Sequence, residues 1–224
     1  MKYSNIKNQK NIVENKKQKN ESFKKSIYNK YNFKKFCELK EEKTTRRICK
    51  NDLPPEFDEE LCDFINLFFR KTINVKNEWE FYIDYENNEI IHCLRGKSTI
   101  VSGFINSELM KNKKILSIHN HIKGTYSAPS CENFEILDHE FEDYEIICSE
   151  NEYWILKAKG KFPDKWTHDV KKEILEIFNN CETIVGLSNE KISLEELNKL
   201  YGNELEIFIN NLKSNITLTK KEYG

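Results

Sequence analysis

Glu78-Trp79-Glu80-Phe81-Tyr82-Ile83-Asp84-Tyr85, followed by Glu86-Asn87-Asn88 and then Glu89-Ile90-Ile91-His92-Cys93-Leu94, is the stretch that decides the class of fold. Alternate side chains of a strand point to opposite faces. Trp79, Phe81, Ile83 and Tyr85 therefore share one face, and Glu78, Glu80, Tyr82 and Asp84 the other. Asn87-Asn88 supplies a turn, so the second run returns as a paired strand. Upstream, Phe57, Leu61, Phe64, Ile65, Phe68 and Phe69 recur at three- and four-residue spacing and predict a helix from about 56 to 71. Downstream, Gly96 breaks the hairpin, and Ser98 to Val101 reads as a further strand.

Ile115-Leu116-Ser117-Ile118 is a short apolar strand that ends in His119-Asn120-His121. A loop with Gly124 and Pro129 follows, and Ser130 opens a helix expected over about 130–142, carrying Phe134, Leu137 and Phe141. Tyr144 to Cys148 and Tyr153 to Ala158 read as two strands about a Glu150-Asn151 turn. Beyond Pro163 the pattern is helical: Trp166, Val170, Ile174 and Ile177 on one face, then Leu194, Leu197, Leu200, Leu205 and Ile209. This order predicts a mixed α/β (α+β) domain over 51–160 with five or six strands. A helical segment over 161–224 packs on it.

Of the 224 residues, 33% are charged and 38% hydrophobic, a balance more polar than most globular domains. The imbalance sits at the N-terminus. Residues 1–50 hold 16 Lys and Arg against 5 Asp and Glu, while the rest holds 20 against 32. Residues 1–50 thus read as a basic, Lys- and Asn-rich arm. Three readings of it stand: a disordered, solvated arm; Lys16, Lys17, Lys19, Lys24, Lys25, Lys34 and Lys35 on nucleic-acid phosphates; or a short helix docking through Phe23, Tyr28, Tyr31, Phe33 and Phe36. No stretch approaches the ~18 apolar residues of a spanning helix. Seven scattered cysteines, with neither a C-x-x-C pair nor an apolar leader, point to reduced thiols in the cytoplasm.

The chemistry concentrates at His119 and His121. On a strand they share a face, within reach of one metal ion; imidazole suits zinc, and a catalytic zinc takes three protein ligands plus water. A bare H-x-H is short enough to arise by chance on an edge strand. Here it stands after a strand bearing Glu78 and Glu80 and before Pro129-Ser130-Cys131-Glu132-Asn133.

That ensemble resembles the JAMM (MPN-plus, JAB-domain) metallopeptidases, most of all their RadC-like branch, over roughly residues 76–160. The resemblance implies a JAB/MPN-like mixed sheet flanked by helices and zinc-dependent hydrolysis of a peptide or isopeptide bond in a peptide or ubiquitin-like substrate. It implies His119 and His121 as zinc ligands, Glu78 (or else Glu80) as general base, and Ser130 as oxyanion stabiliser. Three positions depart from the family pattern. Ile122 replaces a proline, the loop to Ser130 is one residue longer, and Asn133 stands where the third ligand is usually aspartate. Asparagine is neutral and a weak zinc ligand, so Glu132 and Cys131 compete with Asn133 for that place. Asn133 also has a plain reading as a helix-start residue bonding backbone N–H groups.

Two alternatives follow: a catalytically inactive JAB-like protein-binding module, and a nuclease using the basic arm. The letters H-N-H evoke ββα-metal nucleases, but those spread the residues over a hairpin and helix. His92, His139 and His168 read as packing or surface residues, with His139 at most supporting the site.

Overall fold

The computed structural model describes residues 27–96, 105, 107–138, 142–158, 160, 162–188, 193–212 and 216–224. The expected strand at Ser98–Val101, and Phe141 and His139, lie outside them. So does most of the basic arm, including Lys16, Lys17, Lys19, Phe23, Lys24 and Lys25.

Six strands form one mixed sheet: β1 Trp79–Asp84, β2 Glu89–Arg95, β3 Ile115–Asn120, β4 Glu142–Cys148, β5 Glu152–Lys157 and β6 Thr217–Glu222. Their order across the sheet is β2-β1-β3-β4-β5-β6, with β3 and β4 parallel and every other pair antiparallel. The mixed α/β class and the strand count are as expected. Two details differ. The segment after Ser130 is a short 3-10 helix, Cys131–Asp138, kinked at Phe134, and not an α-helix to 142. The C-terminal segment is not helical throughout, because Thr217–Glu222 adds β6 to the edge of β5.

One face of the sheet packs against α1 (Ile27–Glu38) and α2 (Glu59–Thr72). Asp58 caps α2 by accepting the Leu61 N–H at 2.8 Å, and Glu59 and Glu60 complement its positive end. Its stripe of Leu61, Phe64, Ile65, Phe68 and Phe69 is buried on Trp79, Phe81, Ile83, Leu116 and Ile118. Helix α1 belongs to this core: Phe33 and Phe36 are buried, and the Phe36 ring lies 4.7 Å from that of Phe81.

The other face is covered by α3 (Asp164–Ser188) and α4 (Leu194–Asn211), which pack with the 3-10 helix on Ile147, Trp154 and Leu156. Ser193 caps α4 through the Glu196 N–H. A smaller cluster of Tyr82, Ile91, Leu94, Met110 and Ile115 covers β1 and β2 on that face. Between the two apolar clusters runs a polar row on the three central strands: Glu80, Ser117, His119, Glu142 and Glu145. This row leads to the candidate site.

Candidate functional site

His119 sits where the register puts it directly beside Glu80 of β1 on one side and Ile147 of β4 on the other. Strand β3 ends at Asn120, whose side chain holds the chain there. Its Oδ1 accepts the Trp79 N–H at 2.8 Å, and its Nδ2 donates to the Asn77 carbonyl at 3.3 Å. The His121 N–H donates to the Cys148 carbonyl, so His121 stays aligned with the sheet after the strand has ended. The two imidazole rings come to 5.2 Å, as period-two spacing predicts.

Each ring is anchored through Nδ1. His121 Nδ1 lies 2.8 Å from the Tyr126 carbonyl, which only accepts, so Nδ1 carries the proton and Nε2 is a lone pair. His119 Nδ1 lies 3.1 Å from Oε1 of the buried Glu145. Burial holds both rings below the ordinary histidine range, His121 at about 3 with the neighbouring His119 adding to the effect. Both are neutral at pH 7.

Asn133 faces both rings. The Ser130 N–H donates to Asn133 Oδ1 at 2.6 Å, which leaves the Nδ2 amino group turned inward, 3.0 Å from His119 Nε2. The same side chain lies close enough to His121 to oppose, in part, the lowering of its pKa. The contact with Ser130 is half of a capping box, the third helical residue reaching back to the cap's backbone N–H. Asn133 is therefore a helix-start residue and a site residue at once. Its N–H bond to His119 Nε2 occupies an imidazole lone pair that a metal would need.

The remaining expected residues are placed unevenly. Glu78 is buried just before β1, and burial raises its carboxyl above the usual range while His119 partly offsets this. Ser130 turns its hydroxyl to Glu132 Oε2 at 2.7 Å. Glu132 is exposed and interacts with Ser130 and Cys131, and burial lifts the Cys131 thiol to about 11. Among the described residues, no group of three or more His, Cys, Asp or Glu side chains is arranged to hold a metal ion. The donor set thus supplies two imidazoles and a neutral amide that presents its nitrogen. It does not fit a three-ligand catalytic zinc.

Two supports of the site had no motif to announce them. Glu145 is a carboxylate interrupting Tyr144-Glu145-Ile146-Ile147-Cys148, and its period-two face is that of the polar row. The other support is the helical pair α3–α4, which grips the loop from His121 to Ser130. The Tyr126 ring packs on Phe178 at 5.1 Å, the Ser127 N–H donates to Asn198 Oδ1 at 3.0 Å, and the Tyr201 hydroxyl donates to the Pro129 carbonyl at 2.6 Å. Ser127 also donates to Glu152, which pairs with Lys220 of β6. The C-terminal segment therefore holds the carbonyl that orients His121.

The polar row carries a pH dependence. Burial, with Glu142 and Glu145 adding repulsion, pushes the Glu80 carboxyl to about 8 from its ordinary 4.5. Between those values the folded chain binds more protons than the unfolded one, so stability falls as pH rises. His121 acts oppositely, but only between about 3 and 6.5. From pH 6.5 to 8 the wild type should therefore lose stability in urea unfolding, with Glu80 contributing at most ~1.4 kcal/mol per pH unit. Glu80→Gln should flatten that slope; an unchanged slope would place the titration elsewhere.

No family model, curated protein or solved structure matches the chain. Among the described residues, no helix is long and apolar enough to cross a membrane.

Proposed function

We propose that the chain is a JAMM-like domain that binds a peptide or ubiquitin-like protein tail without cutting it. Its element order supports the kinship: a glutamate heading an early strand, H-x-H ending a later one, and S-x-x-N opening the helical segment after it. The observation that carries the loss of catalysis is the orientation of Asn133, oxygen to the Ser130 N–H and nitrogen to His119 Nε2. Zinc chemistry at such a site needs an acceptor in that place. The amide instead satisfies the pocket without a cation.

A second reading, zinc-dependent peptide or isopeptide hydrolysis, draws on one specific observation. Both histidines are tied at Nδ1, by a carboxylate and by a backbone carbonyl, which is how metal-ligating histidines are held. In that reading His119 and His121 would hold the zinc with Asn133, the metal would supply Lewis acidity, Glu78 would serve as the general base and Ser130 as the oxyanion stabiliser. The test is to reconstitute the full chain with zinc, dialyse it, measure the metal, and assay an isopeptide-linked ubiquitin-like reporter. The module reading expects less than a tenth of an equivalent of zinc and no cleavage, with the reporter still perturbing the His119 and His121 resonances. One equivalent of zinc with cleavage lost in Glu78→Gln would overturn it in favour of the hydrolase.

A further inference from the structure

We propose that Glu145 is a positioning residue that fixes the tautomer of His119 and so sets which atom of that ring faces the pocket. The argument is a chain of donors and acceptors. The Ser130 N–H can only donate, so Asn133 must offer it oxygen and turn its amino group to His119 Nε2. An amino group only donates, so Nε2 must accept and cannot carry the ring proton. A neutral imidazole has one proton, which therefore sits on Nδ1 and requires an acceptor of its own. Glu145 Oε1, 3.1 Å away on the neighbouring strand, is that acceptor.

A carboxylate at this place cannot present a donor by mistake, as an amide or hydroxyl can by rotating. The parallel register explains why β4 supplies it. Ser117 pairs with Glu145 and His119 with Ile147, so the glutamate side chain lies one step back along the same face as the imidazole. Glu142 flanks the pair and accepts from Ser117 at 3.3 Å, while Glu80, its carboxyl raised to about 8, also stands beside it, so the acceptor facing Nδ1 is Glu145 itself. This role holds under either reading of function, because both require Nε2 as a lone pair aimed outward. It also separates the two histidines: His121 owes its tautomer to the Tyr126 carbonyl, not to a side chain.

The experiment is nitrogen-15 correlation spectroscopy of the histidine rings in the full chain at pH 7.5, on wild type, Glu145→Gln and Glu145→Leu. Wild-type His119 is expected as the Nδ1–H form, with the Nε2–H form under a tenth. Glu145→Gln should keep that preference, since the amide oxygen still accepts. Glu145→Leu should raise the Nε2–H form to at least half, with His121 unchanged as an internal control against collapse of the pocket. His119 in the Nε2–H form in wild type overturns the proposal without any variant. An unaltered His119 tautomer in a folded Glu145→Leu protein overturns it equally.

Discussion

Replacing Asn133 with aspartate is expected to raise zinc affinity by at least ~100-fold, beyond the 10–100-fold typical of changes around a metal's ligands. In the native pocket the Asn133 amino group donates to His119 Nε2, while its oxygen holds the Ser130 N–H. Aspartate keeps the bond to Ser130 and exchanges the amino group for a second oxygen. Two imidazole lone pairs and a carboxylate oxygen then face one point with no donor among them. Such a frustrated set costs about 1–3 kcal/mol for each unpaired polar group. It is relieved by a divalent cation, which gains two imidazoles and one negative ligand.

The variant should therefore be less stable than wild type in chelator and recover on adding zinc. Wild type should change little. Chelator competition gives the affinity, and urea unfolding with and without zinc gives the coupling. Unchanged affinity in a folded variant would mean that the two imidazoles and position 133 do not converge. Glu132→Gln in the same background is the control. A loss of zinc there would make Glu132 the third ligand and reduce Asn133 to its capping role.

What the sequence revealed and what it hid follow from the range of the interactions. Strands β1 to β5 announce themselves because each buries one or both faces, leaving alternating or continuous apolar runs within a few residues. Strand β6 does not. Thr217-Leu218-Thr219-Lys220-Lys221-Glu222 lies at the sheet edge with only Leu218 buried, so its pairing partner and not its composition makes it a strand. The 3-10 segment misleads for a local reason: Ser130 does open a helical turn, but the turns are 3-10 and are kinked at Phe134, so they do not propagate as an α-helix.

The site divides the same way. His119, His121, Ser130 and Asn133 lie within one short run and are legible together. Glu145 becomes visible only once β3 and β4 are known to be parallel neighbours in this register, and Asn198 and Tyr201 only once α4 is folded onto the loop. For helix α1 the docking helix is one of the readings the sequence offers, and the Lys- and Asn-rich background around its anchor, the buried Phe33 and Phe36, is why the sequence alone does not choose it.

That anchor gives the second large effect. Phe36→Ala is expected to destabilise the protein by ~3–5 kcal/mol, the range for truncating a fully buried phenylalanine. The ring is 2% exposed and is surrounded by aromatic rings from two other elements. It stacks on Phe68 at 5.9 Å and meets Phe81 at 4.7 Å and Trp79 at 5.7 Å edge-on. Among the described side chains of helix α1 only Phe33 and Phe36 are buried, so a cavity there both forfeits these contacts and frees the helix. Tyr31→Ala on the same helix, where the ring is 58% exposed, should cost less than ~0.5 kcal/mol. Urea unfolding of the two variants separates the roles of this region. A large gap between them makes residues 27–38 part of the folded domain, with only the chain before them left to act as a basic arm. If Phe36→Ala unfolds no more easily than Tyr31→Ala, the helix does not hold its place on β1 in solution. The whole N-terminal fifty would then be free for a separate partner.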